Sequence, residues 1–537
     1  MKWLHKRSAG KALAAATALT LLLSACSSGD DSSSGSTGSA DAGSTKRTKL
    51  KVEIFDRGNT PSGYTISDSY LTRLVQERFG DPNHIDVEFV PVPRSEEVQK
   101  LNVLMASGSE VPDIVFTYDS GTFNRYAEQG GLTELSSLLD QFGPNLKAFL
   151  GEDTLAYGQY KGKQLAVPGR RLVLGKYASY IRQDWLDKLG LPAPTNADEL
   201  YATLKAFKEK DPGGVGSSIV PFGMSIASAQ YEPLIWSFIK PLTEEQRYTL
   251  TQQLGSNDYP TLLPGFKDAL QYMNKLYNEG LISKDFGLDK DKKKLWEDMQ
   301  SGKVGFYSED AGELYFVANG SYKNLQTNVP GAVMTPIDAF KNSEGKFAKP
   351  AYAPNAMYVM IPKSSQNAEA AVKYLDWMAS GKNLFDIQFG VENENYTMVD
   401  GVPVVKEDAT KEASDRIYNF GDIGIIVNGK YAGSDEKNEA AYIAQTPKEY
   451  QADMRKSVEI SNTDTIAPVR FDHPIEAEAK YGSSLSDKFQ EFIVKATIVK
   501  PASFESVYES MMKDYMASGG QAILDERTAA YKEMSGK

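Results

Sequence analysis

Between residues 50 and 116 the sequence alternates between strand patterns and helical patterns, and this alternation restricts the fold more than any other feature. Three short apolar runs with strand character lie at 50–55, 85–90 and 112–116. Two stretches with apolar residues at helical spacing, 70–79 and 98–105, separate them. This order predicts an α/β lobe with a largely parallel sheet. Ligands of such sheets bind at the carboxyl ends of the strands, which here are Asp56-Arg57 and Thr117-Tyr118-Asp119.

The length and composition predict a large folded protein with more than one core. A chain of 537 residues exceeds what a single hydrophobic core supports, so two to four domains or two large lobes are expected. The 29 Tyr residues outnumber the 23 Phe residues. Tyrosine combines an apolar face with a hydroxyl group, which suits surfaces that stack on sugars, although any single Tyr is more often a core residue.

The charge excludes several classes of partner. The whole chain has a net charge of −12, and removal of the N-terminal segment discussed next would make it more negative. A surface of this sign repels phosphate backbones and anionic lipids, so nucleic acid is not expected as a partner.

The N terminus has the order of a secretory signal peptide. Four basic residues, Lys2, Lys6, Arg7 and Lys11, precede the uncharged run 12–23. The apolar run is too short for a permanent membrane span, so cleavage is expected.

Cys26 is the only cysteine of the chain. With Leu23, Ser24 and Ala25 it forms a sequence that resembles the bacterial lipobox, in which the cysteine is lipidated and becomes the first mature residue. A simple cleaved signal with a buried cysteine is the alternative. We therefore predict a signal peptide at 1–25 and a lipidated Cys26 followed by a flexible linker to residue 49, because this stretch lacks large apolar side chains.

Four segments carry a family resemblance. They are VPDIV at 111–115, GLTEL at 131–135, QLAVP at 164–168 and YIRQDWLDKLG at 180–190. In this order they are similar to the extracellular solute-binding proteins of carbohydrate ABC importers, and more narrowly to large Gram-positive lipoproteins related to the alginate-binding proteins.

This resemblance implies an α/β, two-lobed periplasmic-binding-protein-like fold with a hinge and a ligand cleft between the lobes. The N-lobe is expected to comprise 50–168 and 352–390, and the C-lobe 169–351 and 391–537. The implied function is capture of an oligosaccharide and its delivery to membrane permease subunits, with no catalysis and no cofactor in this chain. The protein is expected to be a monomer on the extracellular face of the cell membrane, held there through Cys26.

Nine residues are predicted to contact the ligand in the cleft. The aromatic ones would stack on sugar rings, the aspartates would accept hydrogen bonds from hydroxyl groups, and the arginines would bind hydroxyls or a uronate carboxylate. The set is Arg57, Tyr118, Asp119, Arg170, Trp236, Tyr307, Asp310, Tyr352 and Tyr396. For each charged member a structural salt bridge is an equal alternative. If both Arg170 and Arg171 face the cleft, an acidic oligosaccharide is favoured over a neutral one.

Other functions and sites remain open at this stage. A secreted glycosidase needs only an Asp/Glu pair, and no particular pair stands out among 71 acidic residues. A peptide-binding importer lipoprotein is a further alternative. The loop that begins at Asp211 resembles the calcium loop of alginate-binding relatives but contains few carboxylates, so no tight metal site is expected there.

Overall fold

The computed structural model describes residues 47–107, 111–254, 257–316, 321–406, 408–471 and 473–536. The predicted signal peptide, Cys26 and the linker up to residue 46 lie outside this described part. Within it, no helix has the length and apolar character that a bilayer crossing requires.

The strands are numbered in chain order. They are β1 Thr48–Asp56, β2 Ile85–Pro93, β3 Val115–Thr117, β4 Gln159–Tyr160, β5 Lys163–Gln164, β6 Val167–Arg171, β7 Tyr177–Arg182, β8 Val220–Phe222, β9 Gln252–Leu254, β10 Asn257–Tyr259, β11 Val304–Asp310, β12 Met334–Ile337, β13 Lys349–Pro350, β14 Asn355–Met360, β15 Tyr396–Val399, β16 Val402–Val405, β17 Val427–Asn428 and β18 Thr465–Ile466.

The α-helices are numbered in the same way. They are α1 Tyr70–Val75, α2 Glu97–Ser107, α3 Ser120–Glu128, α4 Ser136–Phe142, α5 Pro144–Leu155, α6 Gln183–Leu189, α7 Ala197–Lys210, α8 Ser228–Phe238, α9 Glu244–Leu250, α10 Phe266–Asn278, α11 Lys293–Gln300, α12 Ser321–Asn328, α13 Ala368–Ala379, α14 Asn383–Phe389, α15 Lys411–Arg416, α16 Phe420–Ile423, α17 Asp435–Ile443, α18 Gln451–Asn462, α19 Glu476–Ile498, α20 Phe504–Tyr515 and α21 Gln521–Ser535.

The first sheet contains the three strands that the sequence predicts. β1 pairs with β2 in parallel, and Val52 of β1 bridges in parallel to Ile114, just before β3. The order then continues β3-β14-β6-β17, with β14 antiparallel to both of its neighbours and β17 parallel to β6. The carboxyl ends of β1, β3, β6 and β17 consequently lie along the same edge of the sheet.

A second four-stranded sheet has the order β12-β7-β11-β8. Strand β7 is antiparallel to β12 and β11, and β8 is parallel to β11. Each sheet has its own hydrophobic core, with Ile54 and Phe116 fully buried in the first and Trp185 and Phe492 fully buried in the second. The two cores confirm the two-lobed α/β architecture.

Two segments that connect the sheets are hydrogen-bonded to each other. Residues 172–176 lead from β6 to β7, and residues 351–354 lead back into β14. The Arg171 N–H donates to the Pro354 carbonyl at 2.7 Å, and the Tyr352 N–H donates to the Leu174 carbonyl at 2.9 Å. This paired connection, which we call the crossing ribbon, joins the two lobes.

The boundaries between the lobes stay a prediction. Residues C-terminal to 390 contact the first core, because Ile426 is buried in it and Tyr396 packs against Phe389 at 5.9 Å. Within α17, Ala441 belongs to the same buried hydrophobic cluster as Phe389 of α14. Ile443, two residues later, belongs to a cluster that contains Tyr180 and Tyr307 of the second sheet. We therefore propose that the last crossing lies in α17 rather than directly after residue 390.

A carboxyl group is buried in the middle of the first sheet. Glu53 of β1 is 0% exposed, and its Oε2 accepts a hydrogen bond from the Phe116 N–H at 2.8 Å. Its Oε1 has no hydrogen-bond partner among the described residues. Burial, together with repulsion from the Glu97 carboxylate, raises the pKa of Glu53 to about 8.

Glu53→Gln should flatten the dependence of stability on pH. A glutamate titrates near pH 4.3 in an unfolded chain. Because its pKa is higher in the folded state, Glu53 contributes stability below about pH 4 that is lost progressively as the pH rises to about 8. Glutamine keeps the acceptor for Phe116 and never ionises. Urea unfolding at pH 5, 6.5 and 8 should show the variant gaining stability over the wild type, by a few kcal/mol at pH 8.

Glu88→Gln on β2 serves as the control, because Glu88 is 49% exposed. It should follow the wild-type pH profile. Parallel profiles for Glu53→Gln and the wild type would contradict the prediction.

Candidate ligand-binding cavity

A cavity of about 1390 Å³ opens at the edge where the strands of the first sheet end. Its walls come from the residues that end β1, β3, β6 and β17, from the second half of α5, and from α17 and α18. Four cationic side chains line it: Arg57, Arg170, Arg171 and Lys430. We call it the cationic cavity. Carboxylates also reach its walls, namely Glu152, Asp153, Asp435 and Glu439.

Two of the cations are paired with carboxylates of the protein. Arg57 donates from Nε and Nη2 to the two oxygens of Asp422, both at 2.8 Å, and the Asp422 side chain is 5% exposed. The hydrogen bond to Asp422 raises the pKa of Arg57. Arg170 donates to Asp435 Oδ1 at 2.6 Å. The positive charges of these two arginines are therefore largely neutralised by carboxylates of the protein itself.

Arg171 has no such partner. No carboxylate of the described residues lies within 4.0 Å of it. Its guanidinium makes only long hydrogen bonds, from Nε to the Asn355 carbonyl and from Nη1 to Asn428 Oδ1, both 3.4 Å. The carbon Cζ lies 4.4 Å from the centroid of the Tyr352 ring. Burial lowers the pKa of Arg171, but an arginine stays charged, so the cavity wall carries a desolvated, uncompensated cation.

Among the four cations that line the cavity, Lys430 is the second that has no carboxylate partner in the described part of the chain. It follows β17, and its Nζ lies 4.8 Å from the ring centroid of Phe420 and 5.3 Å from that of Phe389. Burial lowers the pKa of Lys430 to about 8. The ammonium group is thus held on two aromatic faces instead of on a counter-ion.

Apolar and aromatic groups complete the cationic cavity. Tyr118 is half-buried at the end of β3, and burial raises its pKa. Phe149 and Leu172 also line the walls. Gly151 interrupts α5 with a φ of 72°, in the left-handed region that favours glycine, and so turns the chain at the cavity wall. Such a mixture of apolar faces and convergent polar groups is typical of small-molecule sites.

Asp119 lines a different cavity, of about 1100 Å³, on the α3 side of the first sheet. Its Oδ1 accepts the Thr122 N–H at 2.6 Å and so caps α3. Arg470 and Glu478 line the same cavity. The structure therefore separates Asp119 from Arg57, Tyr118 and Arg170, which lie together in the cationic cavity.

Three predicted contacts lie in the hydrophobic cores instead. Trp236, Tyr307 and Tyr396 are 2%, 0% and 3% exposed, and none of them lines either cavity. Tyr307 stacks on Tyr180 with ring centroids 5.3 Å apart. Rings enclosed in this way have no free face for a sugar, so the structure does not bring these three to a ligand site.

Tyr352 is part of the crossing ribbon, and Asp310 pairs with Tyr177 next to it; neither residue lines a cavity. The ring of Tyr352 faces cations, with Lys176 Nζ at 4.8 Å in addition to the guanidinium of Arg171. Burial raises the pKa of Tyr352 to about 12. It also raises the pKa of Asp310, with Lys176 and Lys292 opposing the shift. Tyr352 thus contacts Arg171 rather than an open cavity.

The sequence analysis did not predict the residues that β17 and the chain after it contribute to the wall of the cationic cavity. Asn428, Lys430 and Tyr442 line the cationic cavity, yet β17 has only two residues and shows no alternating pattern. The Arg170-Arg171 doublet was the one signal in the sequence that pointed to a cationic wall.

The Asp211 loop is closed by its own hydrogen bonds. The carboxylate of Asp211 accepts the backbone N–H groups of Val215 at 3.0 Å and Gly216 at 2.7 Å. Lys188 Nζ donates to the Pro212 carbonyl at 2.9 Å. The described residues contain no group of three or more His, Cys, Asp or Glu that could hold a metal ion. The prediction that this loop lacks a tight calcium site stays a prediction.

Comparison with known proteins relates the chain to one family. The model of the family described as "Bacterial extracellular solute-binding protein" matches residues 62–383, which is more than half of the chain. "Lipoprotein LipO" of Bacillus subtilis is 30% identical over 329 residues, covering 59% of this chain and 62% of that protein, a little under two thirds of its length. "Polygalacturonan/rhamnogalacturonan-binding protein YtcQ" of the same species is 25% identical over 478 residues, covering 84% and 86%.

Solved structures share the fold. Alginate-binding protein AlgQ2 without calcium ion has a TM-score of 0.63 at 21% identity, covering 91% of this chain and 98% of that one. The substrate-binding protein FusA of Streptococcus pneumoniae, in complex with kestose, has a TM-score of 0.64 at 14% identity, covering 91% and 100%. At these identities the likeness concerns the fold alone.

Replacing Arg171 and Arg57 by methionine should have opposite consequences for stability. Arg171→Met removes a desolvated cation that has no counter-ion and should leave the free energy of unfolding unchanged or raise it by about 1 kcal/mol. Arg57→Met strands the buried carboxylate of Asp422 and should cost about 2–3 kcal/mol. Denaturant unfolding at pH 7 measures both. Equal losses in the two variants would show that Arg171 is a structural residue.

Proposed function

Because this chain belongs to the bacterial extracellular solute-binding protein family, with relatives named as binding components of carbohydrate ABC transporters, we propose that it captures an acidic oligosaccharide. The ligand would occupy the cationic cavity. The chain would then deliver it to membrane permease subunits, without cleaving it.

The observation that carries this proposal is the uncompensated guanidinium of Arg171. A buried cation without a counter-ion costs free energy in the unliganded protein. A uronate carboxylate that bound there would form charge-assisted hydrogen bonds and offset that cost. A neutral hydroxyl group would offset much less of it. Arg170 donates only to Oδ1 of Asp435, so Oδ2 of this carboxylate, which lines the same cavity, could accept a hydrogen bond from a sugar hydroxyl.

The relatives are consistent with this class of ligand. YtcQ is named as a binding protein for polygalacturonan and rhamnogalacturonan, and AlgQ2 is named as alginate-binding, whereas FusA is named for fructooligosaccharide. The similar proteins thus include some that are named for acidic sugars and one that is named for a neutral sugar. The feature of this chain that favours an acidic ligand is the guanidinium of Arg171, which has no carboxylate partner among the described residues.

Ligand capture would involve a hinge at the crossing ribbon. The ribbon consists of two short extended segments held together by backbone hydrogen bonds, and such connections absorb rotation between lobes. Arg171 lies at the start of the ribbon, so a ligand bound to it would contact the moving region directly. Closure around the ligand would create the form that the permease recognises.

Membrane attachment would come from Cys26. Lipidation at a single cysteine, followed by a linker without large apolar residues, would hold the folded unit from residue 47 onward outside the membrane. The relative LipO is named as a lipoprotein.

The binding test uses the chain from residue 27 onward, which lacks the lipidated Cys26, with trigalacturonate, neutral oligosaccharides and short peptides. Thermal unfolding should reveal stabilisation by the uronate, about 2.7 kcal/mol at a hundredfold excess over Kd. Arg171→Gln should weaken uronate binding about 10- to 100-fold, since a hydrogen bond to a charged group contributes about 1.5–3 kcal/mol.

Arg73→Gln is the matched control, because Arg73 lies on the same lobe and its side chain is 59% exposed. It should bind like the wild type. Recovery of the uronate as shorter fragments would establish a glycosidase instead. Stabilisation by neutral sugars or by peptides alone would refute the acidic-ligand proposal.

Cys26→Ala should release the protein from the cell. With the thiol absent, no lipid can be attached, so the variant should appear in the medium or remain as an unprocessed precursor, whereas the wild type should partition into detergent. Immunoblots of the two fractions, with mass spectrometry of the N-terminal peptide, measure this. Retention of the variant in the membrane at wild-type level with its signal peptide removed would contradict the anchor.

A further inference from the structure

We propose that Lys430 is a second anion contact of the cationic cavity and that it makes the binding of carboxylate-bearing oligosaccharides weaken as the pH rises above neutrality. This inference deepens the proposed function and rests on it. It assigns a specificity-determining role to a residue outside the predicted set of ligand contacts.

The backbone around Lys430 is held in place on both sides. The Gln388 side chain is 1% exposed; its Nε2 donates to the Gly429 carbonyl at 2.8 Å, and its Oε1 accepts the Tyr431 N–H at 2.7 Å. Gly429 has a φ of 109°, and a Cβ there would lie 3.2 Å from Leu172. A close approach and a left-handed turn therefore both require glycine, and they set the direction in which the chain presents Lys430.

The side chain of Lys430 is placed by aromatic rings rather than by an anion. Its Nζ lies within 5.5 Å of the ring centroids of Phe420 and Phe389, at the wall of the cavity. It has no hydrogen-bond partner and no carboxylate within 4.0 Å in the described part of the chain. This arrangement leaves the ammonium donors available to a ligand.

Neighbouring carboxylates are occupied by other cations. On the elements around Lys430 the pairs are Asp386 of α14 with Arg78, Asp422 of α16 with Arg57, and Asp435 of α17 with Arg170. Glu152, Asp153 and Glu439 also line the cavity, but no carboxylate of the described residues lies within 4.0 Å of the Lys430 ammonium. The described part of the protein therefore supplies Lys430 with no ion-pair partner.

The titration behaviour follows from this placement. Burial lowers the pKa of Lys430 to about 8, so its charge is nearly complete at pH 7 and largely lost at pH 9. A uronate carboxylate is ionised throughout that range. Affinity for the uronate should therefore be highest below pH 7 and should fall about tenfold between pH 7 and pH 9, in proportion to the protonated fraction.

The two tyrosines of the cavity lining, Tyr118 and Tyr442, keep their protons in this window. Burial raises the pKa of Tyr118 and of Tyr442 above the usual value near 10. Arginines stay charged, and the described lining of the cavity contains no histidine. Glu53 of β1 also has a pKa of about 8, so a fall in affinity between pH 7 and pH 9 points to Lys430 where it is absent from Lys430→Met.

Calorimetric titration of the mature chain with trigalacturonate, and with the matching neutral trigalactoside, tests the proposal between pH 6.5 and 9.5. Three variants accompany the wild type. Lys430→Met removes the charge, Lys430→Arg keeps it at every pH used, and Lys382→Met is the control, since Lys382 also lies near an aromatic ring, that of Phe385 at 5.5 Å, but outside the cavity. Thermal unfolding of each variant reports whether it is folded.

The wild type and Lys382→Met should show the tenfold fall for the uronate. Lys430→Met should bind it about tenfold more weakly at pH 7 with a flat profile, and Lys430→Arg should bind tightly with a flat profile. Neutral trigalactoside affinity should not depend on pH in any variant. A flat wild-type profile, or a fall that persists in Lys430→Met, would overturn the role of Lys430 while the proposed function stands. Absence of uronate binding in every variant would overturn both.

Discussion

The structure depends on two backbone hydrogen bonds that join the segments crossing between the lobes. The Arg171 N–H to Pro354 carbonyl bond and the Tyr352 N–H to Leu174 carbonyl bond align these segments side by side. That alignment brings the guanidinium of Arg171 over the ring of Tyr352 and presents it to the cavity from the end of β6. The connection between the lobes therefore also positions the guanidinium of Arg171, the cation of the cavity that has no carboxylate partner in the described part of the chain.

The distribution of charge in this protein is uneven in a way that bears on its function. The chain as a whole is strongly acidic, and most arginines of the described part have carboxylate partners. Arg171 and Lys430 lack one, and both line the same cavity. Keeping two partly buried cations without counter-ions lowers the stability of the unliganded protein. In the proposed function, a ligand that brings its own carboxylates would recover that free energy on binding, and an acidic protein would thereby favour an acidic sugar.

Prediction from the sequence succeeded where periodic patterns specify local structure. The strand at 50–55 and the helix that begins at Tyr70 were both evident from apolar spacing, and both are present. Prediction of the site was uneven. Arg57 and Tyr118 follow strands, and the rule that ligands bind at strand ends predicted them as contacts; both line the cationic cavity, and their contact with a ligand stays a prediction. Trp236 and Tyr307 were predicted as contacts because they are aromatic residues in segments that resemble the family's cleft. An aromatic ring fits a hydrophobic core equally well, and both side chains are buried in the cores.

The amino-acid sequence by itself determined the α/β class, the two-lobed family architecture and the acidic surface, because these follow from hydrophobic spacing, ordered motifs and net charge. Only the tertiary structure decided which cations are left without partners. Asp422 follows Arg57 by 365 positions along the chain, and no sequence pattern shows that it neutralises Arg57. In the same way, only folding brings Phe389 and Phe420 to Lys430 and leaves it without a counter-ion. Ion pairing and desolvation depend on distances between residues far apart in the chain, and those distances exist only in the folded protein.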